Sequence, residues 1–369
     1  MYDLSHLKNT AGPFLRGEQS TRQLTLDVII GLLPTLALSV FLFGLRSLAL
    51  VCLSVAACVC FEWIFQRIVW KRTHVSDLSA VVTGILLCCM LPVTVEWWMV
   101  LLADFFAIVI IKNLPGGLGK NALNPAICGR TLLAVCYPAA MSTYCRPQTL
   151  LPLLSSCGEI VSQTTPMQLL QSGQLPDTSI TNTALGMVSG CLGEVSTLAL
   201  LAGGLWLLYR RTVPLRTPLS FLLTIAVLTS TFPADGQIRP YWMCYQLISG
   251  GVMLAAFFLI SDPVTSPVTY TGQVLYGIGC GTLTVLLRYH GSQPEGVWVA
   301  ILIMNAVVFV AERLFHVEAK LRQLTMRGKS RPAAVQSAKA GHTAARVQSS
   351  RKAAPNAPAK KRKRGSAGK

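Results

Sequence analysis

Charged side chains are scarce in this sequence, and acidic ones are the scarcest. Charged residues make up 13% of the 369-residue chain, with 15 Asp and Glu in all, whereas 52% of the residues are hydrophobic. Soluble domains carry about 25% charged residues, so the composition excludes an ordinary soluble domain. The mean hydropathy of +0.52 indicates that lipid is the solvent for most of the chain.

The sequence also lacks three motifs that would indicate a redox or nucleotide site. It has no dinucleotide-binding glycine fingerprint, no P-loop, and no cluster of cysteines at iron–sulfur spacing. For Cys145 and Cys157, which lie in a polar segment, a disulfide stays open. The cysteines inside apolar runs are expected to pack as small buried hydrophobic side chains: Cys52, Cys58, Cys60, Cys88, Cys89, Cys191, Cys244 and Cys280.

Positive charge is concentrated near the C-terminus. The net charge is +17, yet no acidic residue follows Glu318, and 13 Lys and Arg residues lie between Arg327 and Lys369. The rest of this segment is mainly Ala, Ser, Pro, Gly and Gln, which bury too little apolar surface to fold. We therefore predict a disordered basic cytoplasmic tail at 316–369. For its Lys360–Arg364 run we favour lipid contact or no specific role over nucleic-acid binding.

Long apolar runs account for most of the remaining chain. A helix needs about 20 apolar residues to cross about 30 Å of hydrocarbon. The sequence predicts an all-α integral membrane protein of about ten transmembrane helices, with nine as the main alternative. The predicted spans are 24–44, 47–66, 78–95, 97–113, 122–141, 184–208, 215–233, 243–261, 272–289 and 295–315.

Lys and Arg in the short loops predict the orientation, because positive loops stay in the cytoplasm. With ten spans, the basic loops share one face with the N-terminal segment 1–23 and with the tail. The opposite face holds the longest loop, 142–183, which we expect to be periplasmic, at a bacterial inner membrane. The residues on the cytoplasmic face include His6, Lys8, Arg16, Arg22, Arg67, Lys71, Arg72, Lys112, Lys120, Arg210, Arg211 and Arg216.

The long loop divides the membrane part into two predicted halves of five helices, 24–141 and 184–315. Asp77–Pro92 and Pro218–Pro233 share Leu, Ser, Thr, Leu and Pro at matched positions. Repeated halves with broken helices are common in transporter-like folds. Two apolar helices also match by chance, so duplication and chance both stay open.

Two polar segments interrupt the apolar pattern. Gly116–Arg130 reads GGLGKNALNPAICGR; such Gly-rich backbone before a helix either binds an anion or forms a tight turn. Ser261–Gly272 reads SDPVTSPVTYTG, which is either a broken helix lining a site or an ordinary loop. The Gly116–Gly119 turn and the Asp262–Pro267 stretch are expected to shape a site in the core.

Four acidic residues fall inside predicted spans, where an unpaired carboxylate costs several kcal/mol. Asp27 and Glu62 lie near span ends, from which they can reach the interface. Asp104 and Glu194 are more central. These two are the candidates for an ion path, and structural pairing or protonation is the alternative.

Four motifs, in order, resemble the D subunit of the Rnf electron-transport complex (RnfD) and, more distantly, the B subunit of the sodium-pumping NADH:quinone reductase (NqrB). The resemblance covers about residues 1–315. The motifs are GGLGKNALNPAICGR (116–130), GCLGEVSTLALLAGGLWLL (190–208), DPVTSPVT (262–269) and PEGVWVAILIMN (294–305).

The resemblance implies that a threonine of the outer loop carries FMN through a phosphoester bond. The family pattern is Ser-Gly-Ala-Thr-Pro-Leu, and residues 162–167 read SQTTPM, which places the flavin on Thr165. Gln163 and Thr164 depart from the family's Gly and Ala, and Thr164 is a second candidate hydroxyl. Without the resemblance, nothing in this turn indicates catalysis, because no base lies beside its hydroxyls. A second, noncovalent flavin is a further expectation.

The function implied by the resemblance is that of one subunit of a redox-driven ion pump. Electrons would pass between ferredoxin-side and NADH-side partners through FMN, coupled to movement of Na⁺ or H⁺. The implied partners are the other Rnf subunits, notably the flavin-bearing G subunit and the A, B, C and E subunits, a flavin transferase, and the lipid bilayer. The rival from another class is a secondary transporter of a small solute, which broken helices would equally fit.

Overall fold

The structure, a computed structural model, describes residues 21–71, 77–149, 151–153, 163–194, 196–234, 238–267, 269–291 and 295–311. The chain divides into two compact units, Met1–Phe309 and Val310–Lys369. The helices described below lie in the first unit, except that the last helix, Val297–Ala311, ends two residues after Phe309. The predicted tail, 316–369, lies outside the described residues.

Within the described ranges the fold is helical and contains no strand, which confirms the all-helical class. Three π-helical segments, Gln66–Trp70, Phe106–Asn113 and Ala255–Leu259, extend α2, α4 and α12. The helices are α1 Thr21–Phe43, α2 Leu45–Phe65, α3 Ser79–Cys89, α4 Trp97–Phe105, α5 Pro125–Cys136, α6 Pro138–Met141, α7 Pro166–Gln171, α8 Ile180–Leu185, α9 Thr197–Tyr209, α10 Arg216–Thr231, α11 Arg239–Ile248, α12 Val252–Leu254, α13 Tyr270–His290 and α14 Val297–Ala311.

Among the residues that the structure describes, two helices are long and apolar enough to cross a membrane: α1, with 23 residues, and α2 with its extension to Trp70, with 26 residues. A third candidate is the pair formed by α11 and the extended α12, which bends by 62°. Gly250 and Gly251 lie at the bend with φ of 65° and 70°, a conformation that glycine adopts without strain. Since α3, α5, α9 and α14 are apolar but shorter, the count of about ten spans stays a prediction.

The helices present apolar side chains outward and bury charged ones. Phe41, Leu45 and Tyr209 expose 73%, 65% and 81% of their surfaces. Arg46 and Arg288 are buried. This distribution is expected where lipid surrounds the protein, because polar groups then find their partners inside.

Two predicted spans contain a long helix over only part of their length. The span predicted at 78–95 contains α3, and the span predicted at 184–208 contains α9. Their non-helical ends lie side by side. The N–H of Leu192 donates to the carbonyl of Leu91 over 3.0 Å, and the N–H of Gly193 donates to the carbonyl of Cys89 over 2.7 Å. These bonds satisfy backbone groups that a continuous helix would otherwise pair.

The described part of the outer loop contains α7 and α8. Met167 and Leu170 of α7 pack against Trp242 and Tyr245 of α11 in a small hydrophobic cluster. The start of α7, at Thr165, is therefore anchored to a helix of the membrane part.

The cysteine predictions hold in part. Cys52 and Cys60 are exposed, so the prediction of burial was wrong for these two: eight positions apart on α2, they share one outward helical face. Cys157 lies outside the described residues, whereas Cys145 is buried. Of the others, Cys244 is half-buried, and the buried ones are Cys58, Cys88, Cys89, Cys191 and Cys280.

Candidate functional site

Thr165 is the N-cap residue of α7 and is held by a capping box. Its Oγ1 accepts a hydrogen bond from the Gln168 N–H over 3.2 Å. In return, the Gln168 Oε1 accepts one from the Thr165 N–H over 2.9 Å. Pro166 occupies the first helical position, where its fixed φ favours the turn. Thr165 is 4% exposed, so its hydroxyl is fixed and buried.

Thr164, the second candidate hydroxyl, is exposed and lines a cavity of about 410 Å³, here named the outer cavity. Arg146 and Gln163 also line this cavity, and the Arg146 Nε donates to the Gln163 Oε1 over 3.1 Å. Pro166, the neighbour of Thr165, forms part of the same wall. The outer cavity therefore begins beside both candidate threonines.

Glu194 lies in a buried group with Cys191 and Glu295, here named the acid cluster. One side-chain ligand atom of each residue lies within 4.8 Å of the other two. Arg130 forms an ion pair with Glu295, and the Tyr144 hydroxyl donates to the Glu295 Oε1 over 2.7 Å. Burial, with Glu295 close by, raises the pKa of Tyr144 well above its usual range, so Tyr144 remains a neutral donor. Glu295 is thus well partnered.

A small cavity of about 30 Å³ joins the acid cluster to the start of α7. Thr165, Glu194, Ser249 and Glu295 are among its lining residues. The Glu194 Oε1 and the Ser249 Oγ are buried, and no described residue hydrogen-bonds to either atom. The structure therefore brings the predicted flavin threonine and one predicted ion-path acid to one cavity.

Asp104 belongs to a different buried group. The Ser54 hydroxyl donates to the Asp104 Oδ1 over 2.8 Å, and the Cys58 thiol donates to the same oxygen over 3.2 Å. Asp104 is fully buried, and its Oδ2 has no hydrogen-bond partner in the described part of the chain. The two predicted ion-path acids are thus not members of one cluster.

Glu62 and Asp27, expected near the interface, are both buried ion-pair partners. The Glu62 Oε1 lies 2.9 Å from the Lys112 Nζ, and both side chains are at most 3% exposed. Asp27 lies 3.1 Å from the Arg210 Nε. The pairing of Glu62 with Lys112 lowers the cost of burying both charges.

The Gly116–Gly119 turn and the Asp262–Pro267 stretch meet at a cavity of about 130 Å³, here named the core cavity. Leu118, Asn121 and Asp262 are among its lining residues. The Asn124 Nδ2 donates to the Asp262 Oδ2 over 3.4 Å. Residues of both stretches therefore line one cavity.

The polar groups of the core cavity are only partly paired. The Asn121 Oδ1 is buried and accepts no hydrogen bond from the described residues. Burial raises the pKa of Asp262, while hydrogen bonds from the Val264 N–H and the Thr265 hydroxyl oppose that rise. The Asn124 Oδ1 caps the first N–H groups of α5, so the tight-turn interpretation describes Gly116–Gly119 better than an anion site on that helix end.

Sequence reasoning missed Arg130 and Glu295 as site residues. Both lie in motifs already quoted, Arg130 at the end of GGLGKNALNPAICGR and Glu295 near the start of PEGVWVAILIMN. A charged residue in each apolar context was the available signal. Their pairing across 165 positions is a tertiary contact that no local pattern predicts.

Lipid-facing helices around buried, paired charges define an integral membrane protein whose polar chemistry lies inside. The chain belongs to the family described as the NQR2, RnfD, RnfE family, which matches residues 8–319. The resemblance based on the four motifs is thereby confirmed.

Among its relatives is the D subunit of the Na(+)-translocating ferredoxin:NAD(+) oxidoreductase complex of Acetobacterium woodii, 40% identical over 84% of this chain and 93% of the relative. The D subunit of the proton-translocating ferredoxin:NAD(+) oxidoreductase complex of Clostridium ljungdahlii is 34% identical over 81% and 91%. The D subunit of the ion-translocating oxidoreductase complex of Actinobacillus succinogenes is 31% identical over 82% and 94%.

Proposed function

We propose that this chain is the membrane subunit of a redox-driven, ion-translocating oxidoreductase complex, and that Thr165 carries FMN through a phosphoester bond. The family and the names of the relatives support the complex. The observation that carries the flavin site is the fixed position of Thr165 between Thr164 and Pro166, which both line the outer cavity. As one subunit, the chain is not catalytically complete alone.

The residues around Thr165 fit a flavin phosphoester. Its Oγ1 serves the cap as an acceptor from Gln168, and an ester oxygen still accepts a hydrogen bond, so the cap tolerates the linkage. The outer cavity, about 410 Å³, falls in the range of small-molecule sites, about 300–1,000 Å³. Arg146 supplies a cation that suits a phosphate.

The burial of Thr165 has a consequence for attachment. Thr165 is only 4% exposed, so an enzyme cannot reach its hydroxyl in the folded chain. The flavin transferase would therefore act before α7 packs on Trp242, or while α7 is transiently detached from it. Because α7 has only six residues and packs in a small hydrophobic cluster, its local opening costs little free energy.

When bound, FMN would supply the electron transfer. Thr165 would tether it and keep it at high effective concentration. Pro166 and Gln168 would hold the threonine that bears the tether, and Arg146, in the wall of the outer cavity, would supply a positive charge for the phosphate.

We propose that the core cavity holds the edge of the ring of a second, noncovalent flavin, because its volume of about 130 Å³ is too small for the whole cofactor. Asn121 offers an unpaired buried carbonyl oxygen, and Phe257 and Phe258 line the cavity with flat apolar surface. An amide acceptor with aromatic neighbours suits a ring that carries N–H groups.

Asn121→Ala is expected to lower the noncovalent flavin content and to leave the covalent flavin unchanged. One hydrogen bond is worth about 1 kcal/mol, so affinity should fall severalfold. Flavin released by acid and flavin retained on the polypeptide are measured separately. The matched control is Asn182→Ala, at an exposed position of α8. Equal amounts of released flavin from both variants would show that the second flavin does not bind at Asn121.

The proposed orientation puts Thr165 on the periplasmic face of a bacterial inner membrane, with both termini cytoplasmic. The basic residues of the short loops support it. The flavin transferase and the flavin-bearing G subunit would then bind the chain at this face. The other Rnf subunits and the lipid bilayer are its further proposed partners.

Deleting the residues after Arg327 is expected to leave electron transport intact. The segment that begins at Arg327 contains 13 Lys and Arg and no acidic residue, a composition suited to the anionic inner leaflet rather than to a redox site. Ferredoxin-dependent NAD⁺ reduction by membranes from the truncated strain is the measurement. An assembled complex without activity would contradict the prediction.

The interrupted helices α3 and α9 also fit the rival function, a secondary transporter of a small solute. In-gel flavin fluorescence of the denatured chain separates the two. A fluorescent band supports the redox function, whereas a non-fluorescent intact band, produced beside a competent transferase, favours the transporter.

A further inference from the structure

Three arginines lie on the turn between α9 and α10, here named the arginine turn. Arg210, Arg211 and Arg216 fall within seven positions, and all three are exposed. The backbone of the turn is anchored to α1 through Asp27. The Arg210 Nε lies 3.1 Å from the Asp27 Oδ1, and the Thr212 hydroxyl donates to the Asp27 Oδ2 over 3.1 Å. The turn is therefore a fixed part of the helix bundle.

The charges of the arginine turn are only partly balanced. Asp27 pairs with Arg210, whereas neither Arg211 nor Arg216 forms an ion pair with another residue in the described part of the chain. Asp262 lies in the wall of the core cavity, which the turn also lines. Even when Asp262 is counted, three guanidinium groups face two carboxylates. The turn therefore attracts an anion.

Aromatic rings accompany two of the three guanidinium groups. The Arg216 group lies 4.0 Å from the centre of the Tyr270 ring, and the Arg210 group lies 5.9 Å from the centre of the Trp206 ring. Tyr209, whose ring centre is 6.4 Å from that of Trp206, is 81% exposed. Exposed Trp and Tyr side chains concentrate at the level of the lipid headgroups. This grouping puts the arginines at the depth of the lipid phosphates.

The start of α10 also favours an anion at the same place. Its N-cap residue, Leu215, makes no side-chain cap, and the first turn contains no acidic residue. Arg216 is the first helical residue, where a cation is repelled by the positive end of the helix dipole. An anion beside Arg216 would offset this repulsion and would accept hydrogen bonds from the first N–H groups.

The apolar surroundings of the arginine turn identify the anion as part of a lipid. Leu215 and Leu219 lie four positions apart, on one face at the start of α10, and are 55% and 46% exposed. A free phosphate gains nothing from such side chains. The acyl chains of a phospholipid cover them, while its phosphate contacts the arginines.

We propose that the arginine turn binds the headgroup of an anionic phospholipid, with Arg211 and Arg216 contacting the phosphate. Tyr270 positions the Arg216 guanidinium, and Leu215 and Leu219 contact the acyl chains. The site involves neither the basic tail nor the outer cavity. Its assignment to the cytoplasmic leaflet rests on the orientation proposed above; lipid binding itself does not.

The test measures the thermal unfolding midpoint, Tm, of the purified complex that contains the full chain, after its bound lipid has been removed. Phosphatidylglycerol is titrated against phosphatidylcholine in mixed micelles at constant total lipid and constant ionic strength. The variant is Arg211→Gln with Arg216→Gln. Arg239→Gln is the matched control, because Arg239 is also exposed and is also the first residue of a helix, α11.

Phosphatidylglycerol is expected to raise Tm in the parent and in Arg239→Gln, because a ligand of the folded state stabilises it. Each lost arginine weakens attraction to an anionic lipid about fivefold, so the double variant should need on the order of 30 times more phosphatidylglycerol for the same rise. The basic tail is present in every variant, so its own lipid contacts do not contribute to the difference.

Equal titration curves for the parent and the double variant would overturn the proposal. An equal rise with phosphatidylcholine alone would also overturn it, because the charge would then have no role. So would an equal rise with glycerol phosphate, which would identify a site for a free anion. If the double variant does not assemble, Arg211→Gln and Arg216→Gln are titrated singly, and two curves equal to that of the parent would contradict the proposal.

These outcomes are independent of the flavin. A complex without covalent flavin that still responds to phosphatidylglycerol through Arg211 and Arg216 would refute the electron-transfer proposal alone. A fluorescent complex without that response would refute the lipid site alone.

Discussion

Thr165→Ala is expected to abolish flavin fluorescence of the denatured chain. The substitution removes the only atom through which the proposed phosphoester forms, and alanine leaves no hydroxyl at this position of the motif. The loss should be complete rather than partial, and assays of the assembled complex should show loss of ferredoxin-dependent electron transfer. The measurement is in-gel fluorescence of this chain, normalised to protein.

Thr164→Ala is the matched control for that experiment. Thr164 is adjacent, exposed and beside the outer cavity, but alanine restores the residue of the family pattern. Fluorescence should therefore persist. If fluorescence disappears in Thr164→Ala and persists in Thr165→Ala, the attachment site is Thr164, and the register drawn from the motif is wrong.

Among single substitutions in the acid cluster and in Arg130, which pairs with it, Arg130→Gln is expected to cause the largest loss of stability. It leaves the Glu295 carboxylate, at most 5% exposed, buried without its cation. Breaking a buried pair on one side costs about 3–5 kcal/mol, which corresponds to a fall in Tm on the order of 10 °C. The unfolding of the purified complex, followed by scanning fluorimetry, checks this value.

The double variant Arg130→Gln with Glu295→Gln distinguishes charge from packing. It removes both charges and keeps similar side-chain volumes, so most of the lost stability should return. Equal instability of the single and double variants would show that Arg130 acts through its contact with the Trp298 ring, 5.7 Å away, and not through the ion pair.

The positions of the longest helices could be predicted from the sequence, because continuous apolar runs produce them. The spans predicted at 24–44 and 47–66 correspond to α1 and the extended α2. The early end of α3 could not be predicted in the same way. The residues that follow Cys89 directly remain apolar, and the carbonyls of Cys89 and Leu91 accept hydrogen bonds from Gly193 and Leu192, about a hundred positions away.

In the candidate site, too, local features could be predicted from the sequence, whereas contacts between distant segments could not. Thr165 as the flavin position came from the family motif, and its role as a helix cap was readable locally, because Thr-Pro-Met-Gln is a capping-box pattern with proline at the first helical position. The convergence of Thr165, Glu194 and Glu295 on one cavity was not readable, since it depends on the packing of three distant segments.

Fragment mass spectrometry of the peptide that contains Thr165, prepared from the native complex, tests the central claim most directly. The account predicts a mass increase equal to FMN less one water, localised to Thr165 and absent from Thr164. A complete, unmodified peptide from cells with a working flavin transferase would contradict it.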